Sequence, residues 1–240
     1  MDFKNNFQIN PDAFSGVVVA IGELGPQTRY MKPPKISDIP ESRLKYSSAA
    51  KLANDLELFA GCRYFVIVNG SFYYGDFIEA LIVEKNLKIK ELTISTLSLS
   101  QNNIDSLAGL LQTGHVDKLN LIISDYFYSA EQKGEGLIPY LYEKLDIDGN
   151  RFQCAVAGIH CKTCVMETQG GHHLVMHGSA NLRSSANLEQ IAIEESGDTY
   201  NFIMEYSRAI LAKFATINHN ESGRKLVALR YTKLWEAVNF

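Results

Sequence analysis

The run "RYFVIVN" (Arg63–Asn69) is followed by "DFIEALIVEK" (Asp76–Lys85) and then by "ELTISTLSL" (Glu91–Leu99). The first is short, β-branched and aromatic, as a buried strand requires. The second spaces its apolar residues at three and four, which gives a helix one apolar face. The third returns to a strand pattern. A strand, a helix and a strand within about forty residues make a unit whose sheet is covered by helices, so this stretch fixes the class as α/β.

The alternation continues on the C-terminal side. "NNIDSLAGLLQTG" (Asn102–Gly114) is expected to be a helix with an Asn cap and a Gly stop. "KLNLIISDYF" (Lys118–Phe127) is expected to be a strand, "GLIPYLYEKLD" (Gly136–Asp146) a helix and "FQCAVAGIHCK" (Phe152–Lys162) a strand. Two further strand-like runs flank Gly170–Gly171, a hairpin signal. "NLEQIAIEES" (Asn187–Ser196) gives one more strand, and two amphipathic helices are expected over residues 199–215 and 224–238. On the N-terminal side, five of the six prolines fall in the first 40 residues, so an irregular arm is expected there. A short helix around residues 47–60 would end it. The reading is a lead-in over residues 1–55 and one domain over 56–240.

Composition narrows the setting. With 46% hydrophobic and 21% charged residues, the chain has the make-up of an ordinary globular protein. It has no apolar run of about 18 residues or more and no charged-then-apolar leader, so neither a membrane span nor a signal segment is expected. Four cysteines are too few for a disulfide framework, which favours a reducing, cytoplasmic compartment. The net charge of −4 argues weakly against non-specific nucleic-acid binding. Local basic excess argues the other way. Residues 26–51 carry Arg29, Lys32, Lys35, Arg43, Lys45 and Lys51 against Asp38 and Glu41, six positive and two negative. Such an arm suits a phosphate backbone or a partner protomer.

The chemistry concentrates between Gly158 and Gln190. On a strand, His160 and Lys162 would share a face. A Lys beside a His suits a phosphate: the ammonium neutralises non-bridging oxygens while a neutral imidazole nitrogen can attack phosphorus. "GSAN" brings the Ser179 hydroxyl and the Asn181 carboxamide, both able to donate to phosphate oxygens. Glu189 can hold an imidazole by its second nitrogen. Two rival readings use Cys161 and Cys164. A zinc site with His172, His173 and His177 needs both thiolates on one side, which a strand would prevent. A redox pair should open a helix, whereas a hairpin follows here. No metal and no cofactor are therefore expected. Cys62 and Cys154 are expected in the core, as are the aromatics Phe72 to Phe77, with base stacking as the minor alternative for the latter. Asp76 should cap or open its helix, and His172, His173 and His177 are expected on the hairpin surface or around the cleft. Arg183, two residues after Asn181, is a further possible charge contact.

"H-C-K", "G-S-A-N" and "N-L-E" in this order resemble the signature of the phospholipase D superfamily, in particular its small bacterial endonucleases with one motif copy per chain. The resemblance covers over half the chain. It implies a mixed β-sheet with helices on both faces. It also implies metal-free phosphodiester hydrolysis through a phosphohistidine on His160, with Lys162, Ser179 and Asn181 on the phosphate and Glu189 orienting a catalytic His. The family's structural Asp falls at Glu167, and the spacer between the motif halves is about four residues longer. Because the mechanism needs two such histidines and no other His is followed by Lys at the second position, the resemblance implies a homodimer with the site on its two-fold axis. A nuclease acting on DNA or RNA is the expected activity. The alternatives are a lipid-type phosphodiesterase or transphosphatidylase, and a non-catalytic nucleic-acid-binding or assembly protein that keeps the fold.

Overall fold

A computed structural model describes residues 29–30, 44–58, 60–70, 72–132, 136–147, 150–184 and 187–217. The expected helix over 224–238 and most of the N-terminal arm lie outside the described residues. The strands are β1 (Arg29–Tyr30), β2 (Arg63–Asn69), β3 (Ile89–Thr96), β4 (Leu119–Ser124), β5 (Phe152–Ala157), β6 (Thr163–Thr168), β7 (His173–Gly178) and β8 (Leu188–Glu195). The helices are α1 (Leu44–Asp55), α2 (Tyr74–Glu84), α3 (Gln101–Gln112), α4 (Asp125–Glu131), α5 (Leu137–Leu145) and α6 (Gly197–Phe214).

One sheet runs in the order β1-β2-β8-β7-β6-β3-β4-β5. β3, β4 and β5 are parallel, and the remaining pairings are antiparallel. The sheet is thus mixed, and helices cover both faces. Tyr64, Val66 and Val68 of β2 and Leu92 and Ile94 of β3 point into the main core, together with Leu52, Phe77, Ile104 and Leu141 from α1, α2, α3 and α5. On the opposite face, Ile210 and Phe214 of α6 pack on Ile122, Ala155 and Ala157. Tyr200, Ile203 and Met204 of the same helix cover Val165 and Val175. β4, covered on both sides, is buried along its whole length, as a central parallel strand should be. Ala49, Leu52 and Ala53 of α1 belong to the main core, so this part of the lead-in packs with the domain.

Three local expectations change. α3 is capped by Ser100, not by an Asn. The Ser100 side chain accepts from Asn103 N–H, and Asn103 Oδ1 accepts from Ser100 N–H at 2.9 Å. Ser100→Ala is expected to cost about 1 kcal/mol, read as a lower urea midpoint with an unchanged slope. "SDYF" is not the end of a strand. Ser124 accepts from Phe127 N–H at 3.1 Å and starts α4 at the last ladder position of β4. The third change concerns residues 158–162.

β5 is an edge strand, whereas β6 lies between β7 and β3. The chain leaves β5 at Ala157 and must cross the ends of β4 and β3 before Thr163 can pair with Ser95 and His177. No residue can stay in a ladder while making that crossing, so His160 and Lys162 lie on the bridge and not on a strand. The register places Asn69, Thr96, Ser124, Ala157, Thr163, Gly178 and Leu188 along one edge of the sheet. This is the carboxyl end of the parallel strands, where open α/β sheets take ligands.

Candidate active site

The bridge is clipped at both ends. Ile159 N–H donates to Ala157 O at 2.8 Å, and the Ile159 side chain packs on the α6 face. Gly178 N–H donates to Lys162 O at 3.2 Å. Between these clips His160 is exposed, while Lys162 is only 9% exposed. The Lys162 ammonium donates to His160 O at 2.8 Å and lies 3.0 Å from His160 Nδ1. The two side chains therefore meet as expected, but through a bend of the bridge that turns Lys162 back on its own chain. Burial pulls the Lys162 pKa below its usual value, and the Glu189 carboxylate pulls the other way. A desolvated ammonium with part of its solvation replaced by a ring nitrogen and a carbonyl is poised to take an anionic oxygen.

The second half of the motif follows β7. Gly178 is needed because a Cβ there would stand 1.9 Å from Gln190 O, on the backbone of β8. This close approach lets Ser179 N–H donate to Gln190 O at 2.9 Å and Ser179 Oγ accept from Gln190 N–H at 3.0 Å. Ser179 Oγ in turn donates to Glu189 through a short hydrogen bond. Within the chain, Glu189 therefore engages Ser179 rather than the His160 ring. Its link to the His-Lys pair is the Coulombic one to Lys162.

Asn181 Oδ1 accepts from Leu97 N–H at 3.0 Å, which leaves the carboxamide N–H groups for another acceptor. Its turn is closed by Asn181 N–H to Ser184 Oγ and Ser184 N–H to Asn181 O, both 2.9 Å. The next residue is held from two sides: Leu182 N–H donates to Thr96 Oγ1 at 3.3 Å, and Leu182 O accepts from Gly75 N–H at 2.9 Å. Thr96 and Gly75 are positioning residues that sequence reasoning missed. Ser184, three residues after Asn181, is a turn signal that was there to read; Thr96 gives none, since its role comes from its strand-end location.

The remaining residues sort by register. Glu167 pairs with His173 on β6 and β7, well away from the bridge, and its carboxylate takes Lys90 at 2.7 Å. His172 and His173 begin β7 at the opposite edge of the sheet, so they do not rim the cleft. His172 stands 3.7 Å from Glu195, and His173 stacks on Tyr200 with centroids 4.4 Å apart. His177 lies one ladder position from Gly178, exposed and 3.9 Å from Glu194. Cys161 is exposed while Cys164 is buried in the main core, so the two thiols face different surroundings. Among the described residues, no group of three or more His, Cys, Asp or Glu side chains could hold a metal ion. Cys62, Cys154, Phe72, Tyr74 and Phe77 are buried, Asp76 lies in the first turn of α2, and Arg183 is exposed. Among the described residues no helix is long and apolar enough to cross a membrane.

No family model matches the chain, and no curated protein does. Among solved structures, the chain is similar to NucT from Helicobacter pylori, with a TM-score of 0.42 and 16% identity over 57% of this chain and 88% of that one. It is similar to phosphatidylserine synthase from Haemophilus influenzae at a TM-score of 0.45 and 16% identity, over 67% of this chain and 41% of that one. It is also similar to the phospholipase D family member Nuc from Salmonella typhimurium, with a TM-score of 0.41 and 13% identity over 57% and 86% of the two chains. Function at such likeness has to be argued from the side chains.

Proposed function

We propose that this chain is a metal-independent phosphodiesterase of the phospholipase D superfamily, a nuclease that works through a phosphohistidine on His160. The observation that carries the reading is the desolvated Lys162 ammonium against an exposed imidazole, at the sheet edge that also holds Ser179, Asn181 and Glu189. In the resting site Lys162 occupies a ring nitrogen of His160. An arriving phosphate competes for that ammonium, since a charged oxygen is the stronger acceptor. The imidazole is thereby released to attack phosphorus, and the Asn181 carboxamide donates to a non-bridging oxygen. The P–O bond to the leaving group breaks as the N–P bond forms, and the leaving oxygen takes a proton from a second imidazole. Water then cleaves the N–P bond.

One chain supplies one His-x-Lys, so the second imidazole is His160 of another copy, in a two-fold dimer. Leu188, 56% exposed beside Glu189, offers apolar surface for that copy. The test is hydrolysis of bis(p-nitrophenyl) phosphate, plasmid, single-stranded DNA and RNA in excess EDTA, with the mass in solution measured on the same sample. Activity in EDTA by a dimer is expected, together with loss of activity when wild type exchanges subunits with excess His160→Ala. Hydrolysis that stops in EDTA, or full turnover by a monomer, overturns the proposal.

A further inference from the structure

Tyr126 is the most exposed large hydrophobic residue among those described, at 78%. Its neighbours behave differently: Phe127 is buried and Tyr128 packs on the main core. Of the three consecutive aromatics, one alone is turned to solvent at the start of α4. Its backbone is fixed, with Tyr126 N–H donating to Asp125 Oδ1 at 2.9 Å and Ser124 holding Leu97 O at 2.9 Å. A ring presented on a firm base, with no intramolecular packing to explain it, is suited to taking a planar partner.

Its location identifies that partner. Tyr126 is the second residue beyond Ser124, the end of β4, and Ser124 pairs with Ala157 at the end of β5. The bridge from Ala157 to Thr163 crosses three strand spacings, about 14 Å, and His160 is its middle residue. His160 therefore passes over the ends of β4 and β3, within roughly two strand spacings, or about 10 Å, of the Tyr126 backbone. The two stand on opposite lips of the same edge, because Ile159 leans on the α6 face while Phe127 is buried on the other. Along this edge a phosphate at Lys162 would have its neighbouring base at the Tyr126 ring.

We infer that Tyr126 is a base-stacking residue that makes single-stranded nucleic acid the substrate of this site. The inference rests on the phosphodiesterase reading and names its substrate class. A base can reach the ring only when unstacked, so a duplex must open at that position first. Stacking of this kind is sequence-tolerant, because every base has a π-face.

The experiment compares wild type, Tyr126→Ala, Tyr126→Phe and Tyr126→Trp on a short single-stranded oligonucleotide and on the same strand with abasic nucleotides beside the scissile phosphate. Tyr126→Ala is expected to raise KM on the base-bearing strand about tenfold or more, with kcat little changed. The Phe and Trp variants should retain the wild-type KM, and the gap between wild type and Tyr126→Ala should close on the abasic strand. Equilibrium binding of both strands to His160→Ala protein, with and without Tyr126→Ala, gives the same comparison without turnover. Equal KM and equal binding with and without the ring overturn the stacking role, as does a loss of the same size on the abasic strand. Failure of wild type to hydrolyse bis(p-nitrophenyl) phosphate instead counts against the phosphodiesterase reading, with the binding comparison still deciding the role of Tyr126.

Discussion

His160→Ala is expected to lower phosphodiester hydrolysis by at least about a thousandfold, and Lys162→Met by about a hundredfold or more. The two losses should differ in kind. Without His160 there is no atom to carry the phosphoryl group, so no acid-labile phosphoprotein should be trapped by rapid quench. Without Lys162 the intermediate still forms, slowly. Equal labelling of His160→Ala and wild type would assign the nucleophile elsewhere. Stability should move the opposite way. Burial lowers the Lys162 pKa, so its folded value lies below its unfolded one. Folding therefore carries a desolvation cost while the ammonium is charged at neutral pH, and that cost fades as pH rises through the lowered pKa. Lys162→Met should melt no lower than wild type at pH 7, the pattern of a residue kept for chemistry at the expense of the fold.

The second large effect concerns the backbone. Gly178→Ala would place a methyl group 1.9 Å from Gln190 O and 2.9 Å from its carbonyl carbon. Neither is the tip of a flexible side chain, so β7 and β8 must separate. The expected cost is about 3 kcal/mol or more, and the separation also breaks the Ser179–Gln190 hydrogen bonds that seat the motif. Gly109→Ala is the internal control. Gly109 lies inside α3 and a Cβ there meets nothing within 4 Å. That change is expected to stabilise the protein by up to about 1 kcal/mol. Urea melts of both variants would test the contrast, and a Gly178→Ala protein as stable as wild type would remove the close-packing argument.

Much of this fold is legible in the sequence because its signals are local. The alternation of apolar periods locates β2, α2, β3, α5, β8 and α6, and the Gly170–Gly171 turn between β6 and β7 is marked by Gly171 at φ +80°. What escapes is set by long-range topology. "GIHCK" looks like more strand because its neighbours are β-formers, and only the sheet order, with β5 and β6 three places apart, makes it a bridge. "SDYF" hid a helix start behind aromatic residues, although Ser124 followed by an acid is an N-terminal signal. The His160–Lys162 pairing was anticipated for the wrong reason. The two residues meet through the curl of the Lys162 side chain onto His160 O and not through strand alternation. The positions of Thr96, Gly75 and Tyr126 around the cleft depend on which strand ends share an edge, which no local pattern encodes.

The bridge of five residues has one more consequence. Crossing three strand spacings takes about 14 Å, and six peptide steps stretch to at most about 20 Å. Little slack is left, so the sheet's width acts as a gauge for the reactive pair. Any descendant keeping this strand order can lengthen the crossing but can scarcely shorten it. Removing a single residue there should tear β6 from β3 before it disturbs anything else.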